Sequence, residues 1–154
     1  MTLTAKDEKF MRIAIEKAEK AMEKGNEPFG AILVKDDEIV SSCENQIFTK
    51  NDPTFHAELG LIKEFCSANG GDLSEYTMYT SCEPCCMCSG AMVWSKLGRV
   101  VYSLNHEELA EIAGFNIMIG SDEIFASSPF KPSVGKQVLS EESRVLYEDY
   151  FGNE

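Results

Sequence analysis

Four of the chain's six cysteines crowd around one proline, as Cys82, Cys85, Cys86 and Cys88 about Pro84. The residues before them, Tyr76 to Thr80, have the aromatic and β-branched chemistry of a strand. Pro84 suits the first turn of a helix running from about Cys85 to Lys96 and stopping at Gly98. A fold for this chain must therefore bring a strand end, a tight turn and a thiol-bearing helix N-terminus together. In a reducing compartment such crowding suits metal or catalytic chemistry better than disulfide bridges. The N-terminus points to that compartment: Met1-Thr2-Leu3-Thr4 runs straight into Lys6, Asp7, Glu8 and Lys9, with no apolar leader and no small-residue cleavage site. No apolar run approaches the roughly 18 residues of a membrane span. The expectation is a cytoplasmic protein with no membrane partner, in which the solitary Cys43 and Cys66 pack in the interior.

Residues 5 to 24 read as an amphipathic helix, with Phe10, Ala14, Ala18 and Met22 at four-residue spacing, Thr4 as cap and Gly25 as stop. Gly30 to Val34 and Glu38 to Ser42 form a hairpin across Lys35-Asp36-Asp37. After a polar loop from Asn45 to Pro53, Thr54 caps a helix from about Phe55 to Ala68, with Leu59, Ile62 and Phe65 on its apolar face. Arg99 to Leu104 is a strand. Then come a short helix over Glu107 to Ala113, an irregular stretch through Pro132, a weak strand near Lys136 to Leu139 and a helix from Glu141 to Tyr150. Strands alternating with helices predict an α/β fold, a mixed five-stranded sheet covered by helices on both faces in three layers. The 154 residues suffice for one core, so a single domain over 1–154 is expected.

The chemistry lies in His56-Ala57-Glu58 and Pro84-Cys85-Cys86-Met87-Cys88. Three-residue spacing puts the Cys85 and Cys88 sulfurs on one helix face, and the helix N-terminus favours their thiolates. One imidazole and two thiolates suit tetrahedral Zn²⁺, one ion per chain, with the fourth position open as in a catalytic site. Glu58, two residues from His56, is placed to move protons between water and substrate. Two thiolates and a neutral imidazole balance the metal's charge, which favours an uncharged heterocycle.

These motifs resemble the cytidine-deaminase-like superfamily of zinc-dependent deaminases. The likeness extends to Pro28-Phe29-Gly30-Ala31, Asn45, Asn51-Asp52-Pro53 and Tyr79-Thr80-Ser81-Cys82-Glu83-Pro84, covering most of residues 28 to 104, and within the superfamily it is greatest to bacterial guanine deaminases. It implies that His56, Cys85 and Cys88 bind zinc and that Glu58 is the proton shuttle. It also implies that Asn45 and the Ala57 backbone N–H contact the base, that Phe29 and Phe115 are apolar walls, and that Tyr150 or Phe151 closes the pocket. Asn116 joins the expected substrate contacts. A homodimer with an exchanged C-terminal segment is typical of such chains. Two departures stand out. Cys86 replaces the usual second proline of Pro-Cys-Pro-Met-Cys, one residue off the ligand face. Asn116-Ile117 replaces two aspartates after Gly-Phe, so that Asn116 accepts only through its amide oxygen and Ile117 not at all.

The expected reaction is hydrolytic deamination of a small aminated base, guanine first, with cytosine, isocytosine, adenine and an aminated pterin as alternatives. A transfer-RNA adenosine deaminase shares the zinc motif, but a formal charge of −12 and the lack of any Lys or Arg between Arg99 and Lys131 disfavour a polyanion. A non-catalytic zinc module would need a fourth protein ligand, Cys82 or Cys86. His106 is expected to be exposed or to cap a helix, Trp94 to lie in the core or at a subunit interface, and the acids from Glu107 to Glu123 to form a solvated face.

Overall fold

The computed structural model describes residues 3–152; Met1, Thr2 and the last two residues of the expected 1–154 domain lie outside it. Helix α1, Ala5–Glu23, begins with a reciprocal cap: the Thr4 hydroxyl accepts the Asp7 N–H, and the Asp7 carboxylate accepts the Thr4 N–H at 2.9 Å. Strands β1, Gly30–Lys35, and β2, Glu38–Glu44, are joined by Asp36 and Asp37, both at positive φ, the tight turn whose twist matches a two-residue hairpin. The chain continues through α2, Ala57–Asn69; β3, Thr77–Cys82; α3, Cys86–Trp94; β4, Arg99–Leu104; and α4, His106–Ala113. It closes with α5, Ser121–Ala126; β5, Ser133–Gly135; and α6, Ser140–Phe151.

The five strands lie in the order β2-β1-β3-β4-β5, antiparallel up to β3 and parallel beyond it. Period-two alternation divides their side chains. Ala31, Leu33, Met78 and Val100 face a core shared with α2, α3 and α5, while Ile32, Val34, Tyr79 and Val101 face one shared with α1 and α6. The expected three-layer α/β/α architecture is what these two cores build. Gly30 permits the closest approach of the layers, because a Cβ there would overlap the backbone of Ala14 and Ala18 in α1.

Asp7 ties α1 to the sheet. Its carboxylate accepts both terminal nitrogens of Arg99 at 2.8 and 3.0 Å and the Tyr79 hydroxyl at 2.7 Å. Burial opposes ionisation of Asp7, but these donors outweigh it and hold the carboxyl well below the usual range.

Several expectations are corrected. Thr54 does not cap α2: Asp52 accepts both its N–H and its hydroxyl, and His56 stands at the N-cap. The buried residues of α2 are Ala57, Glu58, Gly60, Leu61 and Ile62, with Leu59 half-buried. Pro84 precedes the N-cap of α3, which is Cys85. The irregular stretch contains α5, and the last strand lies at Ser133–Gly135, nearer Pro132 than expected. Trp94 is 79% exposed and so is not a core residue. His106 is buried at the start of α4. Cys43 is buried as expected, whereas Cys66 is only half-buried.

Candidate active site

Two helices begin at the C-terminal end of β3, each with an unusual first residue. His56 caps α2 and Cys85 caps α3, both with extended backbone and neither bonding its own helix through its side chain. The side chains usual at such positions, Ser, Thr, Asp and Asn, bend back to satisfy the helix N–H groups. An imidazole and a thiol instead leave their donor atoms free to point outward. Cys88, one turn into α3, turns its sulfur to the same point. Cys85 Sγ lies 3.5 Å and Cys88 Sγ 3.8 Å from His56 Nδ1. Zinc–sulfur and zinc–nitrogen bonds of about 2.3 and 2.05 Å at tetrahedral angles would set sulfur and nitrogen ~3.6 Å apart. The spacing and chemistry of the three donors therefore fit one Zn²⁺, and they form the sole cluster of this kind among the described residues.

The two thiols are driven in opposite directions. The Cys88 thiol and His56 pull Cys85 down to about 4, while Cys88, donating to that thiolate, is pushed well up. The contact with Cys85 raises His56 in turn. Glu58, in the first turn of α2, is 5% exposed. Burial, followed by repulsion from Cys85, pushes its carboxyl up to about 7. Cys82 is buried at the end of β3, where burial and Glu58 hold it well above an ordinary thiol.

Beside the donor cluster lies a cavity of about 180 Å³. Its floor belongs to a third apolar group, Cys82, Leu104, Leu109 and Tyr147, with Phe29 and Phe151 against it. Phe29 packs on Tyr147 with ring centroids 5.4 Å apart, and the Tyr147 hydroxyl donates to Ser81 at 2.8 Å. Helix α6 thus brings Phe151 to the cavity wall. Of the expected residues, His56, Glu58, Cys85, Phe29, Phe115 and Asn116 line the cavity, Phe115 at its rim with 82% exposure. Asn45 and Ala57 are not on the lining. Asn45 is buried, accepts the Ile47 N–H at 3.1 Å and donates its own N–H to the Phe29 carbonyl, while Ala57 sits in the core under α2.

Sequence reasoning missed Glu27, Glu83 and His106 on this wall. Glu83 is a strut. One carboxylate oxygen accepts the His106 N–H at 3.0 Å, and the other accepts the Ser121 N–H and hydroxyl at 3.0 and 2.7 Å. It thereby fixes the start of α4 and the start of α5, the two ends of the segment that carries Leu109, Phe115 and Asn116. His106 Nε2 lies 3.2 Å from the Glu83 carbonyl, which can only accept, so that nitrogen carries a proton. A Glu directly before the Pro-Cys motif was the one available signal for this strut. Glu27, in the α1–β1 loop, is half-buried, and burial raises its carboxyl although His56 opposes the rise.

Residues 4–104 match the family described as the cytidine and deoxycytidylate deaminase zinc-binding region. The chain belongs to that family of zinc-dependent deaminases. It is 46% identical over 90 residues to a guanine deaminase of Bacillus subtilis strain 168, a match spanning 58% of this chain and 57% of that protein. It is 41% identical over 113 residues to a tRNA-specific adenosine deaminase of Aquifex aeolicus strain VF5, covering 72% of this chain and 75% of that one. A solved structure from a study of A-to-I editing by tRNA:A34 deaminases superposes with a TM-score of 0.75 at 29% identity, covering 90% of this chain and 98% of that one. The fold and the His56, Cys85, Cys88 donor set are thus those of a zinc deaminase. Among the described residues, no helix is long and apolar enough to cross a membrane.

Proposed function

We propose that this chain is a single-domain cytoplasmic enzyme that hydrolytically deaminates a small, uncharged aminated base, with guanine as the first substrate. The balanced reaction converts a heterocyclic C–NH₂ and water into C=O and ammonia. The observation that carries the reading is a buried carboxyl, Glu58, beside a three-donor cluster at the end of a partly apolar cavity. His56, Cys85 and Cys88 would hold Zn²⁺, which would supply Lewis acidity there.

The protein's own residues do the rest. Glu58, buried on the cavity wall beside the donor cluster, is positioned to take up and release protons there. It takes a proton from water and gives it to a ring nitrogen, then moves a second proton to the departing amine. Phe29 and Phe151 cover the ring faces with Phe115 at the rim, and Asn116 is the proposed polar contact on the lining, with Asn45 and Ala57 held behind that wall. The cavity lining holds Glu27, Glu58 and Glu83 but no Lys or Arg. That charge pattern favours a free base over the polyanionic substrate of the transfer-RNA branch.

An ammonia-release screen of the zinc-loaded protein against guanine, cytosine, isocytosine, adenine, an aminated pterin and an anticodon stem-loop tests this directly. Guanine should be turned over and the stem-loop should not. Glu58→Gln should keep one zinc per chain and lose at least about 10²-fold in kcat, as expected for removal of a positioned acid–base group. A zinc-stabilised interaction module would release no ammonia from any of these compounds and would be indifferent to that substitution.

A further inference from the structure

Three carboxylates reach the cavity wall, and two of them are committed. Glu58 lies against the donor cluster, and both oxygens of Glu83 are occupied by His106 and Ser121. Glu27 differs: among the described residues no hydrogen bond or ion pair holds its carboxylate. Its backbone is nonetheless fixed. The neighbouring Asn26 side chain is buried, accepts the N–H groups of Phe48 and Thr49 at 3.0 and 3.1 Å, and donates to the Thr49 hydroxyl at 3.1 Å. The Glu27 carbonyl accepts the Phe29 N–H at 2.9 Å, and Pro28 between them is buried. A rigid loop thus holds a half-buried carboxylate at a partly apolar cavity without a protein donor to compensate it. Its oxygens stay open to the cavity, so a bound ligand's N–H can replace solvent as their donor.

We propose that Glu27 is a specificity-determining residue of this cavity, accepting a ring N–H of the bound base through its carboxylate. The assignment rests on the deaminase reading and deepens it. It selects, as substrate class, aminated heterocycles that keep a ring N–H donor besides the amino group to be lost. It also offers a compensation for Asn116-Ile117, where one amide oxygen is the only side-chain acceptor. An acceptor on the opposite loop restores the means of pairing a purine-type edge.

The test compares zinc-loaded wild type, Glu27→Ala and Glu27→Gln by turnover of guanine, 1-methylguanine and 9-methylguanine, and by calorimetric binding of 8-azaguanine. Loss of a hydrogen bond to a charged acceptor should raise KM for guanine by about 10- to 100-fold in Glu27→Ala, with kcat within about threefold. Glu27→Gln, which keeps one acceptor oxygen, should fall between. Wild type should reject one of the two methylated bases, and Glu27→Ala should lose that discrimination. The 8-azaguanine Kd should weaken in parallel with KM. Values of KM and Kd within about threefold of wild type in both variants would overturn the assignment while leaving guanine turnover, and hence the deaminase reading, intact. If wild type releases ammonia from no base but 8-azaguanine binding still weakens in Glu27→Ala, the activity reading fails and the Glu27 assignment stands. No 8-azaguanine binding by wild type overturns the assignment as well.

Discussion

Cys86 is the residue at which this chain leaves its family's metal-binding pattern. It is the first residue of α3, between Cys85, which caps the helix, and Cys88, one turn in, the two proposed thiolate ligands. Proline is favoured at the first helical position, because the N–H it lacks has no intrahelical partner there and its fixed φ suits the helix. Cys86→Pro should therefore keep one zinc per chain by elemental analysis and melt no lower than wild type. Cys85→Ser and Cys88→Ser should each lose the metal. Zinc loss in Cys86→Pro would instead make Cys86 a ligand and revive the closed, structural type of site. The distances already favour the open site, since among the described residues the donor cluster holds His56, Cys85 and Cys88 and neither Cys82 nor Cys86.

At the scale of elements, the contact that fixes α1 on the sheet makes acid sensitivity predictable. Asp7 belongs at once to the N-terminal cap of α1 and to the half-buried pair with Arg99 of β4. Its folded-state pKa is depressed, so the stability it contributes is fully present above the unfolded value of about 3.9 and is lost as pH falls through that value toward the folded one. Asp7→Asn should cost about 1–3 kcal/mol near neutral pH, because it removes the charge from the acceptor of the Arg99 and Tyr79 hydrogen bonds. Urea unfolding should show that penalty shrinking below about pH 4; a penalty independent of pH would assign the stability to packing instead.

How far the elements could be read from sequence follows the same physics. Asp7 and Arg99 lie far apart in the chain, and no local pattern announces their pairing, whereas the Thr4 cap and the apolar stripe of α1 are local and were legible. The start of α2 was misread because Asp52 and His56 compete with Thr54 for the loop and the cap. Helix α5 was invisible because its six residues are too few for a helical period to show, and tertiary contacts stabilise it, including those of Ser121 with Glu83. In the site, residues defined by motif spacing were legible. Glu27, Glu83 and His106 were not, because only the folded chain shows which way a carboxylate or an imidazole faces.

The molecule as a whole leaves large apolar side chains in water. Trp94 at the end of α3 and Phe115 at the cavity rim are the most exposed of them, with Phe48, Ile117 and Met118 also more than half exposed. Aromatic residues and methionine are the types enriched at protein interfaces, so a second copy of the chain is the proposed cover. The acidic balance gives that proposal a sign. Two copies each carrying −12 repel at long range, and salt screens repulsion over about 8–10 Å at 0.1–0.15 M. Apolar association should therefore tighten as salt is added, opposite to the weakening that salt imposes on protein bound to a nucleic acid. Light scattering should give twice the 17.1 kDa chain mass, with the dimer favoured further by added salt. Trp94→Glu, which places another negative charge at the exposed end of α3, should shift the protein to monomer and leave its zinc content unchanged. A wild-type protein that stays monomeric at every salt concentration would overturn the proposal that a second copy covers these residues.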